Sequence, residues 1–436
     1  TSTYVAYFFG DGDDSNAQSF GDDSDESIIK CGSYTGTGSY TNPPVIDLGF
    51  EPQFVIIKNA SASGDWLIGD IMRGATSQII GSAGEAEILK ANLSNAETSY
   101  SGGYIPISPT ATGFTMSIDG SEGNASGKTY IYIAIRRPMK TPEAGTDVFA
   151  VDDAANGLTS GFPVDWFIRR TFSNSQNYAH TRLCGETFLT TDSTDAEQAS
   201  SPSFDNNEGV FAQLNNSAIY GWMFKRATGF FDVVAYSGNS TAGRQITHNL
   251  KSVPNMIIIK NRSSNGEPWY VYHEGTDSTA PEDYHTLLNS TAARADSVEM
   301  MNDTAPTASV FTVSQYNSVN GSGKGYVAYL FATLDGVSKV GSYTGTGSDQ
   351  NIDCGFSSGA RFVLIRRTDS TANWNLFDSV EQGIVAGNDP HIRLNANTAQ
   401  ETADDLIDPY SSGFAVTGSN GNVNASGGTY IFLAIA

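Results

Sequence analysis

The 436-residue chain carries 24 Lys and Arg against 47 Asp and Glu, a formal net charge of −23, and only 16% of its residues are charged while 39% are hydrophobic. The shortage of positive charge argues against binding nucleic acid or an anionic membrane surface, and the hydrophobic content rules out a disordered acidic tail. Forty-five glycines, 20 tyrosines and 23 phenylalanines fit a β-rich protein with glycine-bearing turns, and the length corresponds to roughly three or four domains at about 100–150 residues each.

In chain order the first predicted element is a strand, YVAYFF (4–9). The same type of strand closes each later unit, as YIYIAIRR (130–137), YGWMFKR (220–226), YVAYLFA (326–332) and YIFLAIA (430–436). Because no unit stands before residues 4–9, the numbered chain is expected to start inside a preceding repeat. The stretch 10–27 follows, with seven carboxylates and no base. An EF-hand-like loop beginning at Asp11 would use Asp11, Asp13 and Asp22, and these are the candidate ligands for a loosely bound Ca²⁺. Its sixth position is Asn16 where glycine is needed, and its twelfth is Asp22 instead of a bidentate Glu, so a solvated loop is the preferred reading. No other cofactor is expected.

Self-comparison organises the remainder. GSYTGTGS occurs at 32–39 and 341–348, followed in both copies by a short strand and Gly-Phe (VIDLGF, 45–50; NIDCGF, 351–356). Apolar runs ending in a basic residue come next: FVIIK (54–58), WFIRR (166–170), MIIIK (256–260) and FVLIR (362–366). Three of them precede a tryptophan strand, DWLIGD (65–70), PWYVYH (268–273) and NWNLFD (373–378). Small-polar segments recur at 89–98, 188–197, 287–296 and 393–402, and NASG or GSG precedes three of the closing strands. The spacing of about 100 residues is that of a small domain. The reading is therefore all-β, with tandem antiparallel β-sandwich, jelly-roll-like domains: 1–29 as the closing strand of a preceding repeat plus acidic linker, then repeats at 30–138, 139–230, 231–337 and 338–436. The best helical stripe, Leu287 to Asp296, is long enough for at most two or three turns.

Within a repeat, YIYIAI places Tyr130, Tyr132 and Ala134 on one face and Ile131, Ile133 and Ile135 on the other. Two apolar faces predict a strand buried between two layers. Trp66, Trp269 and Trp374 recur at one position and read as core packing.

Chemistry is sparse in the motifs. His180, His248, His273, His285 and His391 are scattered, with no GxSxG elbow or HExxH pair. Asp70 and Asp378 follow the tryptophan strand, with His273 in their place in a third copy; recurrence favours a structural hydrogen-bonding role over a glycosidase pair. Cys31, Cys184 and Cys354 lack metal or disulfide spacing and read as small apolar residues. Asn59, Asn124 and Asn289 open glycosylation sequons of the kind an Asn-, Ser- and Thr-rich chain contains by chance. No run approaches the roughly 20 apolar residues of a membrane span, and no signal peptide opens the chain. Tyr34, Tyr40, Tyr343 and Tyr410 are the loop-like aromatic candidates for stacking on sugar rings.

GSYTGTGS, IDLGFEPQFVIIK, DWLIGD, LLNST and NASGKTYIYIAIRR or NASGGTYIFLAIA together resemble an uncharacterised tandem β-repeat domain of structural proteins, tail fibres and tail spikes, of marine tailed bacteriophages. The resemblance covers nearly the whole chain, and the second repeat departs most, lacking SYTGTG and the DW strand. It implies a virion protein, a tail fibre or receptor-binding appendage that adheres to a host surface glycan or protein receptor without enzymatic activity and contacts other virion proteins. A capsid decoration or spacer protein and a polysaccharide depolymerase are the alternatives. It also implies a homo-oligomer, with a trimer favoured.

Overall fold

The computed structural model describes residues 3–11, 27–76, 86–100, 106–118, 120–155, 157–200, 204, 206–210, 216–380 and 383–436. Strands make up 41% of the described residues and helix 4%. Two compact units form, Thr1–Lys140 and Thr141–Ala436.

The first unit holds one repeat. Its large antiparallel sheet runs, edge to edge, Ile29–Thr35, Thr129–Arg136, Pro52–Asn59, Trp66–Asp70, Ala86–Lys90 and Thr98–Tyr100. A small sheet of Val45–Asp47, Gly113–Thr115 and Ser108–Thr110 covers one face of it. Ile46 and Phe114 of the small sheet share a core with Val55, Ile57, Leu67, Tyr130 and Ala134 of the large one. The closing strand thus lies centrally, between the opening strand and the basic-ended strand, which is why its residues alternate between two apolar faces. The second face is open in part among the described residues: Ile131 is 42% exposed, while Ile133, Ile135, Phe54, Ile56 and Trp66 are half-buried. The expected burial between two layers is corrected here for the first repeat. Residues 4–9 match the closing strands in sequence but pair in no sheet, and Tyr4, Tyr7 and Phe8 are exposed.

The second unit contains three repeats with the same strand order. Opening, closing, basic-ended and next strands are Phe149–Ala154, Asn216–Phe224, Trp166–Thr171 and Tyr178–Thr181, then Phe231–Ser237, Gly325–Phe331, Met256–Asn261 and Tyr270–His273, then Ser338–Thr344, Thr429–Ile435, Phe362–Arg367 and Asn375–Asp378. The divergent second repeat keeps this pairing despite its missing motifs. Each large sheet buries one face against its own small sheet, around Leu158 and Phe167, Ile257 and Phe311, or Val363 and Phe414. The other faces of all three sheets meet in one shared core. Equivalent residues converge there: Trp166, Met256 and Phe362, then Ile168, Ile258 and Leu364, line a small apolar cavity at the centre. The reading of tandem sandwiches each with its own core is thereby extended, because three of them close on one another as a prism.

The three seams of this prism repeat one chemistry. The basic residue that ends each apolar run reaches backbone carbonyls of the next repeat: Arg170 donates to Thr398 O (2.5 Å), Lys260 to Thr194 O (3.2 Å), and Arg366 to Ser290 O (2.7 Å). Burial pushes Arg170 and Arg366 down to about 10 and Lys260 to about 8, so the cations persist at neutral pH. Beside them Trp269 Nε1 donates to Thr190 O (2.9 Å), Trp374 Nε1 to Leu287 O (3.0 Å), and Asn177, in place of tryptophan, to Arg393 O (3.1 Å). Backbone bonds complete each seam, from Glu197 N to Arg262 O, Arg294 N to Thr368 O and Gln400 N to Phe172 O. The contacts run from the second repeat to the fourth, the third to the second and the fourth to the third. A closed ring with pseudo-threefold symmetry results.

Two of the recurring tryptophans pack in the core as expected, in the one that the three repeats share. Trp269 and Trp374 are buried there beside the seams, whereas Trp66 lies half-buried in the first repeat with Lys58 over its ring at 5.9 Å. The small-polar segments form the opposite wall of each seam, and Leu287 to Asp296 is strand and turn instead of helix. The one α-helix among the described residues is Asn317–Asn320.

Candidate ligand-binding surface

The signature motifs meet at one end of the sandwich in the first, third and fourth repeats. Asn124, fully buried, accepts from Thr37 N (2.6 Å) and donates to Ser39 O (3.1 Å), tying the NASG turn to the TGTGS turn. Asn424 does the same with Thr346 N (2.9 Å) and Ser348 O (2.7 Å), and Asn320 with Asn239 N (3.0 Å) and Thr241 O (2.9 Å). The phenol oxygens of Tyr130, Tyr430 and Tyr326 accept from Ala125 N, Ala425 N and Gly321 N beside them. Gly36 and Gly345 allow the turns to approach: a Cβ there would stand 2.4 Å from Ala125 O and 2.3 Å from Ala425 O. Asn59 and Asn124 are thus buried structural residues, and Asn289 accepts from Trp269 N (2.9 Å), as Asn92 and Asn395 do from Trp66 N and Trp374 N.

What this lattice displays outward is hydroxyls and amides. Thr37, Tyr40, Thr41 and Asn42 are exposed in the first repeat, Asn239, Ser240 and Thr241 in the third, and Thr346, Ser348 and Asp349 in the fourth. Short side chains on turns pinned from beneath can form bidentate hydrogen bonds to vicinal hydroxyls with little loss of side-chain freedom.

The four tyrosine candidates divide. Tyr34 and Tyr343 are strand residues, not loop residues, at matching positions in the first and fourth repeats. Each stacks on a closing-strand tyrosine, Tyr130 at 5.2 Å and Tyr430 at 5.0 Å, and donates inward, to Gly123 O and Val423 O (both 2.7 Å). Burial raises both phenols. Their stacking faces are already used by the protein. Tyr40 lies in the exposed turn, 38% accessible, and Tyr410 ends the strand Ile407–Tyr410, half-buried. Of the cation candidates Asp11 is exposed, and Asp13 and Asp22 lie outside the described residues. Among the described residues no three His, Cys, Asp or Glu side chains gather into a metal-binding group.

All five histidines are buried, and burial lowers each below its ordinary value. His273 accepts from Gly275 N through Nδ1 (3.0 Å) and donates through Nε2 to Phe432 O across a seam (3.1 Å). Asp378, its counterpart in the fourth repeat, accepts from Trp222 Nε1 (2.9 Å), whereas Asp70 pairs with Arg73 (2.6 Å). In the second unit the recurring position is a seam hydrogen-bonding site, which the alternation of Asp and His at one register position could have signalled. Cys31, Cys184 and Cys354 are free, the last two buried and Cys31 half-buried.

His273 has a testable consequence. Burial pushes it from 6.5 down to about 4. Between those values the unfolded chain binds the additional proton, so this stabilisation is complete above about pH 6.5 and is lost as pH falls towards 4, about 3 kcal/mol in all. His273→Gln, which retains a donor and an acceptor, is expected to flatten the pH dependence of the urea midpoint in that window relative to the parent chain.

Fold and surface define a protein of tandem β-sandwich repeats, three of them closed as a prism. Residues 12–138 and 216–436 match the family described as Domain of unknown function (DUF7483), and the chain belongs to that family. No curated protein matches it. No helix among the described residues is long and apolar enough to cross a membrane.

Proposed function

We propose that this protein is a phage virion component, a tail fibre or receptor-binding appendage that adheres to a host surface glycan or protein receptor without cleaving it, and that other virion proteins hold it on the particle. The observation that carries this reading is the pairing of a locked prism with repeated turns that present exposed hydroxyls and amides, at Asn239 to Thr241 and at Thr346 to Asp349. A rigid scaffold repeating one surface multiplies weak contacts when the ligand is itself a repeating polymer. Four of the five buried histidines, His180, His248, His273 and His391, are bound to backbone groups, which suits a structural role better than proton transfer. A net charge of −23 also limits non-specific sticking to anionic envelopes.

The test is incubation of the purified chain with host envelope polysaccharide, following retention and the release of reducing ends together. Retention without release is the expected result. Release of reducing ends would replace adhesion by depolymerisation, and failure to bind host cells as well as polysaccharide would leave the decoration or spacer role.

A further inference from the structure

We infer that the display turn of the third repeat is the principal glycan-contacting subsite of this chain, with Ser240 as its central binding residue and a hydroxyl-bearing sugar ring as its ligand. This rests on the adhesive reading above and names the repeat and the side chains that carry it. Three equivalent turns can be compared, because the backbone N of Gly36, Gly238 and Gly345 bonds to Lys128 O, Lys324 O and Gly428 O at matching points. The next three residues are Thr37, Gly38 and Ser39 in the first repeat, Asn239, Ser240 and Thr241 in the third, and Thr346, Gly347 and Ser348 in the fourth.

The middle position has a left-handed backbone. Gly38 and Gly347 hold φ of +68° and +74°, and Ser240 holds +56°. A Cβ in that region crowds the neighbouring carbonyl, so glycine is the default there. A serine kept at that cost on an exposed turn points to a use for its hydroxyl. Ser240 Oγ accepts from Ser322 N (2.8 Å), which fixes the oxygen and leaves its O–H to donate to a ligand.

The second observation is where the polar groups of each turn are engaged. In the fourth repeat Thr346 Oγ1 donates to Ser348 O (2.7 Å). In the first, Thr37 Oγ1 donates to Asn42 O (2.9 Å) and Ser39 Oγ accepts from Asn42 N (3.1 Å). Those hydroxyls close their own turns. In the third repeat Asn239 Oδ1 accepts from Thr241 N (3.0 Å), and among the described residues neither Asn239 Nδ2 nor the hydroxyls of Thr241 and Ser322 have a protein partner. Asn302, also left-handed at φ +52°, adds an amide beside them: a Cβ on Gly243 would stand 3.7 Å from Asn302 Nδ2, and this side chain too has no partner among the described residues.

Donors and acceptors thus stand together on one short turn that Asn320 pins from beneath. Adjacent hydroxyls of a sugar ring, each able to donate and accept, match that pattern, and short side chains on a fixed backbone lose little freedom on binding. The third turn is therefore the one of the three whose side chains are both held in place and available.

Retention of the full chain on immobilised host envelope polysaccharide tests this with Ser240→Gly and Asn302→Gly. Glycine removes each side chain and suits the left-handed backbone, and in Ser240→Gly the relief of strain offsets the lost bond to Ser322. Each variant is expected to weaken retention by about five- to tenfold, the effect of one lost hydrogen bond, while the urea midpoint of the second unit stays that of the parent. Retention of Ser240→Gly equal to the parent overturns the inference and leaves the adhesive reading standing. A loss of retention that comes with a lower urea midpoint also overturns it, because Ser240 would then be only a latch on Ser322. A parent chain that is not retained overturns the adhesive reading and this subsite with it.

Discussion

Replacing Arg262 by alanine is expected to destabilise the second unit by about 3–5 kcal/mol, read as a fall in its urea midpoint. The guanidinium grips Glu197 of the neighbouring repeat with two bonds of 2.9 Å, from Nε and Nη2, and the two side chains are 2% and 5% exposed. Removing the cation strands a buried carboxylate whose other side-chain partner is the Thr187 hydroxyl (2.8 Å). The same rule predicts the rescue: Arg262→Met combined with Glu197→Leu removes both charges and should recover most of the loss. If the single variant were neutral, this pair would be a surface contact and the seam would be looser than described.

Trp374→Ala is expected to cost a similar amount, about 3–5 kcal/mol, by a different route. Its ring is 1% exposed, Nε1 is bonded to Leu287 O of the next repeat (3.0 Å), and the Arg366 guanidinium lies over it at 5.2 Å. Truncation opens a cavity in the shared core and leaves Leu287 O with only the longer bonds from Arg366 Nη1 and Ser290 N, both 3.4 Å. Trp374→Phe, which keeps most of the volume, should recover much of the loss. Trp66→Ala sits in the same motif of the first repeat, in the other compact unit, and should barely change the unfolding of the second unit.

The contrast between Trp66 and Trp374 shows where the sequence was legible. Strand positions were, because alternation in YIYIAI and the turn residues of SYTGTG and NASG are local signals, and repetition averaged out their ambiguity. The second repeat folds like the others because the register is set by the apolar runs, so Asn177 could replace tryptophan without altering the pairing. The closure of three repeats was not legible. An outward face that packs on a second layer and one that packs on a neighbouring repeat carry the same pattern: Ile131, Ile133 and Ile135 read like Val327, Tyr329 and Phe331 although their burial differs. Seam acceptors such as Thr190 O and Leu287 O are backbone atoms, and any residue type supplies them. The trace that did exist was the basic residue ending every apolar run, since a cation inside a strand pattern needs a buried partner.

The candidate surface was legible in part. Repetition marks the SYTGTGS turns of the first and fourth repeats but not Asn239 to Thr241 of the third, and Tyr34 and Tyr343 read as loop-like although they are strand residues. The glycines around them suggest a turn, whereas strand pairing with Tyr130 and Tyr430 turns both rings inward.

The most direct test of the account is hydrogen exchange, resolved by peptide, on the parent chain and Trp374→Ala. If repeats two to four are one cooperative prism, the variant loses protection together in the closing strands 216–224, 325–331 and 429–435, while 129–136 of the first unit keeps its rate. Loss confined to 338–436 would show that the repeats are independent sandwiches and would contradict the closed prism.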